Sequence, residues 1–199
     1  MLVNLVIKRR EAKTLYARKN GRLVGRVSGE FDICKNSNLT IGKNCKGKNT
    51  CFVLKDSTVT IGDDCYFNNI KIEAVKSKIT IGNRNIFAGH TVISSHEACS
   101  ISIGDDCLIA GGTWITTSDM HSIIDARTNE RLNYAQPIKI GNRVWLAAEV
   151  LIFKGSTIGD GAAIGARAIV TKEIPAHSLA VGAPARPIRH EISWRRDLI

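Results

Sequence analysis

The chain has 199 residues, and 44% of them are hydrophobic, which is enough for one well-buried domain. The formal net charge of +10 predicts a surface that attracts anions, but it does not distinguish nucleic acid, anionic lipid, an acidic polysaccharide or a nucleotide-bearing cofactor. No apolar run approaches the roughly 18 residues of a membrane-spanning helix, and 17 glycines with only 6% aromatic residues argue against a helical bundle.

A basic segment, residues 1–30, opens the chain. Its first ten residues, MLVNLVIKRR, place the charges after the apolar stretch, whereas a secretory signal peptide has them before it, so we expect a cytoplasmic protein. We predict that the segment caps the open end of the repeat that follows, because an uncapped end exposes unpaired strand edges. Binding of an anionic acceptor chain is a second hypothesis for its basic residues, which are Lys8, Arg9, Arg10, Lys13, Arg18, Lys19, Arg22 and Arg26.

Residues 31–175 carry a repeat that is marked by the pair Ile-Gly. The C-terminal part reads in sixes from Ile140 as IGNRVW, LAAEVL, IFKGST, IGDGAA, IGARAI and VTKEI, with an aliphatic residue first in every unit. A period of six fits neither a continuous strand, with period two, nor a helix, with period 3.6. It fits a short strand followed by a turn. The pair recurs at positions 41, 61, 81, 103, 140, 158 and 164.

Three units of six close a triangular coil of 18 residues, which is the interval from Ile140 to Ile158. The earlier intervals of 20, 20 and 22 residues equal one coil plus a small bulge. Stacked coils bury a column of Ile, Leu and Val, and stability accumulates between neighbouring coils. The sequence therefore predicts an all-β protein built as a parallel β-helix of hexapeptide repeats.

Three of the six cysteines occupy one position of the repeat. Cys45, Cys65 and Cys107 each follow the Ile of an Ile-Gly pair by four residues. Free cysteine behaves as a small buried hydrophobe, and thiols of cytosolic proteins usually stay reduced. We therefore predict buried thiols rather than disulfides, and the absence of a C-x-x-C sequence argues against a zinc knuckle.

The repeat is interrupted at residues 118–137, SDMHSIIDARTNERLNYAQP, where no sixfold pattern is left. We predict a loop that protrudes from a corner of the β-helix, and loops on rigid scaffolds often carry function. His121 lies near the start of this loop. Because the ordinary pKa of imidazole is about 6.5, this side chain is suited to remove a proton at neutral pH.

A short tail, residues 176–199, follows the last coil. Pro184 and Pro187 predict that it leaves the β-helix, and Trp194 and Arg195 are candidates to reach a cofactor or a neighbouring subunit. The predicted domain organisation is thus a basic cap at 1–30, the β-helix at 31–175 with its protruding loop, and this C-terminal tail.

The segments IGDDCLIAGGTWITTSDMH and PIKIGNRVW through GAPARPI resemble the hexapeptide-repeat acetyltransferases that act on maltose, galactosides and capsular polysaccharides. SDMHSI followed by NERLNYAQPIKIGNRVW is similar to the O-acetyltransferases of polysialic acid and capsule. The resemblance extends from Ile103 to Arg189. It implies a left-handed β-helix, a homotrimer with active sites between subunits, and transfer of acetyl from acetyl-CoA to a hydroxyl of a sugar.

The resemblance also implies roles for four side chains. His121 matches the catalytic His and would act as general base in a direct attack, without a covalent acyl-enzyme. Trp145, at an outward position of its unit, would lie beside this His and the reactive end of coenzyme A. Asp119 shares a face with His121 in an extended segment and would orient the imidazole or contact the acceptor. His90 stands where galactoside acetyltransferases have an acceptor-contacting Asn.

Coenzyme A lies in the groove between subunits in this family, and no metal is expected. Lys172 and Arg186 are the natural phosphate partners. Arg167 departs from the family, which has a small residue there, and it either adds a phosphate contact or crowds the groove. The cofactor-binding positions that the resemblance implies are Trp145, Ala148, Ala166, Thr171, Lys172, Arg186 and Arg189.

The leading hypothesis for function is an O-acetyltransferase of a bacterial capsular or other surface polysaccharide, with an acidic polymer such as one of sialic acid as a candidate acceptor. Acetylation of a small free sugar or an antibiotic is the alternative within the same class. A non-catalytic module that binds polyanions is a third hypothesis. A γ-type carbonic anhydrase needs three converging His ligands, and His121 has no His five residues away. Nucleic-acid binding would rest on charge alone, so we discount it.

Overall fold

The structure, a computed structural model, describes residues 14–19 and 22–199, with side chains from Arg26 onward. Four basic residues of the predicted cap, 8–10 and 13, lie outside the described residues. The described residues contain no helix that could cross a membrane. The strands are β1 Thr14–Lys19, β2 Arg22–Ile33, β3 Asn38–Ile41, β4 Lys46–Lys55, β5 Thr58–Ile61, β6 Tyr66–Val75, β7 Lys78–Ile81, β8 Ile86–Phe87, β9 Thr91–Ser95, β10 Ser100–Ile103, β11 Leu108–Ile109, β12 Thr113–Thr116, β13 Ile138–Ile140, β14 Trp145–Leu146, β15 Leu151–Phe153, β16 Thr157–Ile158, β17 Ala163–Ile164, β18 Ile169–Val170, β19 Glu173–Ile174, β20 Leu179–Val181 and β21 Arg186–Arg189.

The strands from β2 to β20 stack in parallel columns that form the three faces of a prism, so the predicted β-helix is confirmed. The first face contains β8, β11, β14, β17 and β20, and the second face contains β9, β12, β15 and β18. The third face contains β3, β5, β7, β10, β13, β16 and β19. The long strand β6 passes round a corner, because it pairs with β8 at one end and with β9 at the other.

The core is the stack of inward aliphatic side chains that the repeat predicts. The first residue of every sixfold unit from 140 onward is at most 2% exposed. Burial of these side chains supplies the main stabilising term, at roughly 25 cal/mol for each Å² of apolar surface removed from water. These residues are Ile140, Leu146, Ile152, Ile158, Ile164 and Val170.

The cysteines of the repeat are buried and unpaired, as predicted. The Sγ atoms of Cys45, Cys65 and Cys107 each lie 3.2 Å from a glycine carbonyl oxygen of the next coil. Each thiol therefore fills a small slot and donates a weak hydrogen bond there. Burial raises the pKa of the Cys107 thiol to about 11, which keeps it protonated and unreactive at neutral pH.

The corner between the third and first faces explains the Asx residue that follows most Ile-Gly pairs. The Oδ1 atom of Asn83 accepts a hydrogen bond from the backbone N–H of Asp63 at 2.8 Å, and Oδ1 of Asp105 accepts one from Asn83 at 2.8 Å. Each side chain thus satisfies a backbone donor of the preceding coil. Glycine is required beside it, since a Cβ at Gly82 would lie 2.7 Å from the backbone of Gly104.

The protruding loop lies between the end of β12 at Thr116 and the start of β13 at Ile138. Within it, Ile124 and Arg131 form an isolated antiparallel bridge. At the other end of the chain, β21 turns back antiparallel to β20 and closes the first face. The division into cap, β-helix and tail stays a prediction, and β2, which starts within the predicted cap, already pairs with β4.

Candidate active site

The corner between the second and third faces carries His121 and Asp119, at the start of the protruding loop. Both residues are exposed. No hydrogen bond within the described part of the chain involves the His121 imidazole, while the backbone carbonyl of His121 accepts one at 2.8 Å. The imidazole is therefore open to solvent, while a hydrogen bond to the carbonyl of His121 holds the backbone of this residue.

Thr171 and Lys172 lie at this same corner, two coils below the loop. Ile152 of β15 is opposite Val170 of β18, so Lys172 follows its strand at the level at which Lys154 follows the strand above. Thr171 and Lys172 are both exposed. The predicted base and two of the predicted cofactor residues thus share one edge of the prism.

The next corner, between the first and second faces, carries His90, Ala148 and Ala166. The backbone N–H of Gly112 donates to the carbonyl of His90 at 2.6 Å, and that of Arg167 donates to the carbonyl of Ala148 at 2.9 Å. These hydrogen bonds stack the turns in register. His90, Ala148 and Ala166 are exposed along this edge.

The predicted cationic residues differ in their partners. Arg167 forms an ion pair with Glu149 at 2.6 Å. This contact raises the pKa of the Arg167 guanidinium and holds its charge against Glu149. Arg186, on β21, is opposite Val181 at the end of the first face. Within the described residues, Arg186, Arg189 and Lys172 form no ion pair, so their charges are available to an anion.

Trp145 lies on the first face, where the residue is 39% exposed. Its ring centroid is 6.3 Å from that of Trp194, which folds back from the tail and donates from Nε1 to the carbonyl of Arg143 at 2.6 Å. Trp194 therefore packs on its own β-helix. Trp145, Arg189, Glu191 and Trp194 contribute to the lining of an open cavity of about 410 Å³.

Asp119 is held by two groups on the loop and the coil below it. Its carboxylate accepts hydrogen bonds from Lys154 Nζ and from Asn133 Nδ2, the latter at 2.7 Å. The Lys154 ammonium, together with the Asn133 amide, lowers the pKa of Asp119, so the carboxylate stays ionised at neutral pH. Its side chain is directed into this cluster.

A second cluster ties the loop to the coil above. Ser118 Oγ donates to Glu97, and Arg131 forms a bidentate ion pair with the same carboxylate, with Nη2 to Oε1 at 3.0 Å. The Arg131 guanidinium and the Ser118 hydroxyl lower the pKa of Glu97 from 4.5 to about 2. Bidentate pairs of this kind are the stronger ones among exposed ion pairs.

The pKa of Glu97 leads to a prediction for stability against pH. Because the pKa is lower in the folded than in the unfolded chain, the contribution is complete above about pH 5 and is lost as the pH falls towards 2. We expect the thermal unfolding midpoint to fall less steeply between about pH 5 and 3 in Glu97→Gln than in the wild type. Glu130→Gln, which changes an exposed carboxylate of the same loop, is the control, and equal slopes in both variants would contradict the assignment.

Sequence patterns did not identify Glu97, Arg131, Asn133 or Lys154 as parts of the site. Lys154 occupies an ordinary place in the unit IFKGST, and the other three lie where the sixfold pattern is distorted or absent. Their contacts join positions up to 35 residues apart. The only available signal was the charged and amide content of the interrupted segment.

Comparisons with known proteins identify the family. No profile of a known protein family matches the sequence. The crystal structure of the polySia specific acetyltransferase NeuO is 31% identical, over 83% of this chain and 82% of that chain, with a TM-score of 0.51. The chain belongs to the hexapeptide-repeat acetyltransferases. The polysialic acid O-acetyltransferase OatWY gives a TM-score of 0.76 at 28% identity, over 85% of this chain and 88% of that chain. The β-helix of the present chain is left-handed, as predicted.

A curated relative shows how far the sequence match extends. The polysialic acid O-acetyltransferase of Escherichia coli O1:K1 / APEC is 36% identical over 111 residues, which are 56% of this chain and 36% of that protein. The match thus spans about a third of the length of this relative. What the relative acts on is a property of that protein.

Proposed function

We propose that this acetyltransferase moves an acetyl group from acetyl-CoA to a hydroxyl of a sugar, with His121 as the general base. The observation that carries the proposal is an exposed imidazole on a loop whose backbone is held by hydrogen bonds, at the point where the coil register stops. A base in this situation is accessible to a substrate and has a defined position. Neither feature is needed in a loop that serves only as a connection.

The reaction requires one proton transfer in each direction. As the sugar oxygen attacks the thioester carbonyl, His121 takes the hydroxyl proton. The tetrahedral intermediate then expels the thiolate of coenzyme A, and the imidazolium returns the proton to that sulfur. A base positioned in this way contributes about 10²- to 10⁴-fold in rate.

The chain offers groups of the right chemistry for coenzyme A. Its phosphates need cations that are not already neutralised, and Lys172, Arg186 and Arg189 meet this condition among the described residues. The backbone at Ala148 and Ala166 is accessible because both side chains are small and exposed. Arg167 is the exception, because it is already paired with Glu149.

We propose a homotrimer in which active sites form between subunits. Within one chain, His121 and Lys172 lie at one corner, Ala148 and Ala166 lie at the next, and a whole face separates them. A neighbouring copy would bring the two corners together. The apolar column on the intervening second face supports such a contact, because Trp114 is 46% exposed and is in register with Val92, Leu151 and Ile169.

For the acceptor, we propose a bacterial surface polysaccharide of acidic character, modified in the cytoplasm. The support is the net charge of +10 together with the names of the relatives, NeuO and OatWY, which act on polysialic acid. The experiment is turnover of labelled acetyl-CoA against sialic acid polymers, neutral capsule fragments and free sugars. Higher kcat/KM for the acidic polymers supports the proposal. Preference for a free sugar or an antibiotic would refute the polymer acceptor, and binding without turnover would refute the enzyme.

Lys172→Ala tests the assignment of coenzyme A phosphates. Loss of a charge-assisted hydrogen bond costs about 1.5–3 kcal/mol, so we expect the KM for acetyl-CoA to rise by about 10- to 100-fold. Initial rates at varied acetyl-CoA measure this change. Lys139→Ala, which removes an exposed lysine from the third face, should leave the KM unchanged, and an unchanged KM in Lys172→Ala would remove this residue from the cofactor site.

A further inference from the structure

Asn133 is a buried polar residue in an otherwise exposed loop. It is 9% exposed, whereas His121 and most residues around it are open to solvent. A polar side chain is buried at a cost unless its donors and acceptors are satisfied, so its partners indicate why it is there.

The side-chain amide of Asn133 binds three places in the segment around His121. Nδ2 donates to the carboxylate of Asp119 at 2.7 Å and to the backbone carbonyl of His121 at 2.8 Å. Oδ1 accepts from the backbone N–H of Ile123 at 2.7 Å. One amide thus contacts His121 and the residues two positions before and after it.

Asn133 is itself held in place from the coils. Lys154 Nζ donates to its backbone carbonyl at 3.0 Å, and Nη2 of Arg131 donates to the same oxygen at 3.3 Å. Lys154 also forms an ion pair with Asp119, so Lys154, Asp119 and Asn133 all contact one another. Because Lys154 directly follows β15, this contact connects Asn133 to a strand of the β-helix.

The backbone next to His121 needs such support. Met120 has φ of 63°, in the left-handed region that is unfavourable for a side chain of this type. Such a conformation costs of order 1–3 kcal/mol and persists only where surrounding contacts determine it. Ser118 Oγ accepts from the N–H of Met120 at 3.0 Å on one side of the turn, and Asn133 holds the other side.

We propose that Asn133 is the positioning residue that sets the direction of the His121 imidazole. The inference rests on the proposed function of His121. The β-helix cannot position His121 directly, because the coil register ends before it. The amide replaces the missing register by holding the backbone at His121 and Ile123 and the carboxylate of Asp119, while the imidazole stays free for the acceptor hydroxyl.

Asn133→Ala tests the proposal through kinetics. A displacement of a catalytic group by about 1 Å costs on the order of 10²-fold in rate, so we expect kcat to fall by about 10- to 100-fold while the KM for acetyl-CoA changes less than about twofold. A residue with only a structural role would lower the amount of folded protein but leave kcat per folded molecule unchanged. That result would overturn the proposal.

Asn133→Asp adds a second readout, because it keeps the acceptor for Ile123 and replaces the donors with a carboxylate beside Asp119. Repulsion between the two carboxylates should make its kcat lower than that of Asn133→Ala at about pH 8. The ratio of its activity to that of the wild type should rise as the pH is lowered, because a protonated Asp donates a hydrogen bond again. Asn129→Asp, the same change at an exposed position of the loop, is the matched control. A pH-independent ratio would contradict the proposal.

Hydrogen exchange separates this inference from the proposed function. In Asn133→Ala the amide of Ile123 should exchange faster, while amides of β13 and β15 stay protected. If the wild type transfers acetyl and His121→Ala does not, yet exchange and kcat are unchanged in Asn133→Ala, only the role of Asn133 fails.

If Asn133→Ala does not fold, Lys154→Met is measured instead, because it removes the hydrogen bond to the Asn133 carbonyl. Wild-type hydrogen exchange and wild-type kcat in this variant would refute the inference.

Discussion

Replacement of His121 by alanine is expected to lower kcat for acetyl transfer by about 10²- to 10⁴-fold, the contribution of a positioned general base. The residual rate would come from binding of the two substrates near each other. The KM for acetyl-CoA should change little, because the proposed phosphate contacts lie on other residues. Steady-state rates with saturating acceptor measure the effect.

The control for this variant is Arg127→Ala, in which an exposed side chain of the same loop is removed. Both variants should keep the circular dichroism spectrum and the oligomeric mass of the wild type, because the His121 side chain makes no hydrogen bond among the described residues. Acetyl transfer by His121→Ala at a rate near that of the wild type would exclude His121 as the base.

Ile152→Ala is expected to have the largest effect on stability. Ile152 is 0% exposed and stacks between Ile115 and Val170 in the second face. Truncation leaves a cavity between coils that cannot close, since the backbone is fixed by the parallel strands. Removal of a buried Ile side chain in this way costs about 2–5 kcal/mol of unfolding free energy.

Urea unfolding measures this change. Ile188→Ala is the matched control, because this Ile is 62% exposed on β21 and its loss should alter the unfolding free energy by about 0.5 kcal/mol or less. If both variants lost the same small amount, the inward column of the repeat would not be the core of the β-helix.

The sequence predicts the fold well because the fold is periodic. One aliphatic side chain points inward on each face, so a spacing of six residues between Ile140, Leu146 and Ile152 corresponds directly to three buried strands. The loop was predictable for the opposite reason: a segment without the period cannot form a coil. The burial of Cys45, Cys65 and Cys107 was predicted in the same way, because they share one position of the repeat.

The arrangement of the cofactor residues was only partly predicted. The resemblance grouped Ala148, Ala166 and Lys172 in one groove, and the structure shows that Ala148 and Ala166, a full coil apart, share a corner. Lys172 is six residues beyond Ala166 and therefore lies one corner further round. A single chain therefore does not bring all the predicted cofactor residues into one groove, and a neighbouring copy is needed to join the two corners.

The contacts that hold the loop were not predictable from periodicity. Asn133, Lys154 and Glu97 meet only because a non-repeating segment folds back on two different coils, and no spacing rule relates them. The tail is similar, since no spacing rule predicts that Trp194 packs against Trp145 and Arg143 of its own chain. Its contact with a cofactor or another subunit stays a prediction.

The most direct test of the central claim is the fate of the acetyl group. The purified wild-type protein is incubated with labelled acetyl-CoA and a sialic acid polymer, and the polymer is analysed for label before and after mild alkali. We predict that label enters the polymer with release of free coenzyme A, that it is removed by alkali as expected of an O-acetyl ester, and that His121→Ala slows the transfer by about 10²- to 10⁴-fold. Label that resists alkali, or no transfer to any hydroxyl acceptor by a folded wild-type protein, would contradict the account.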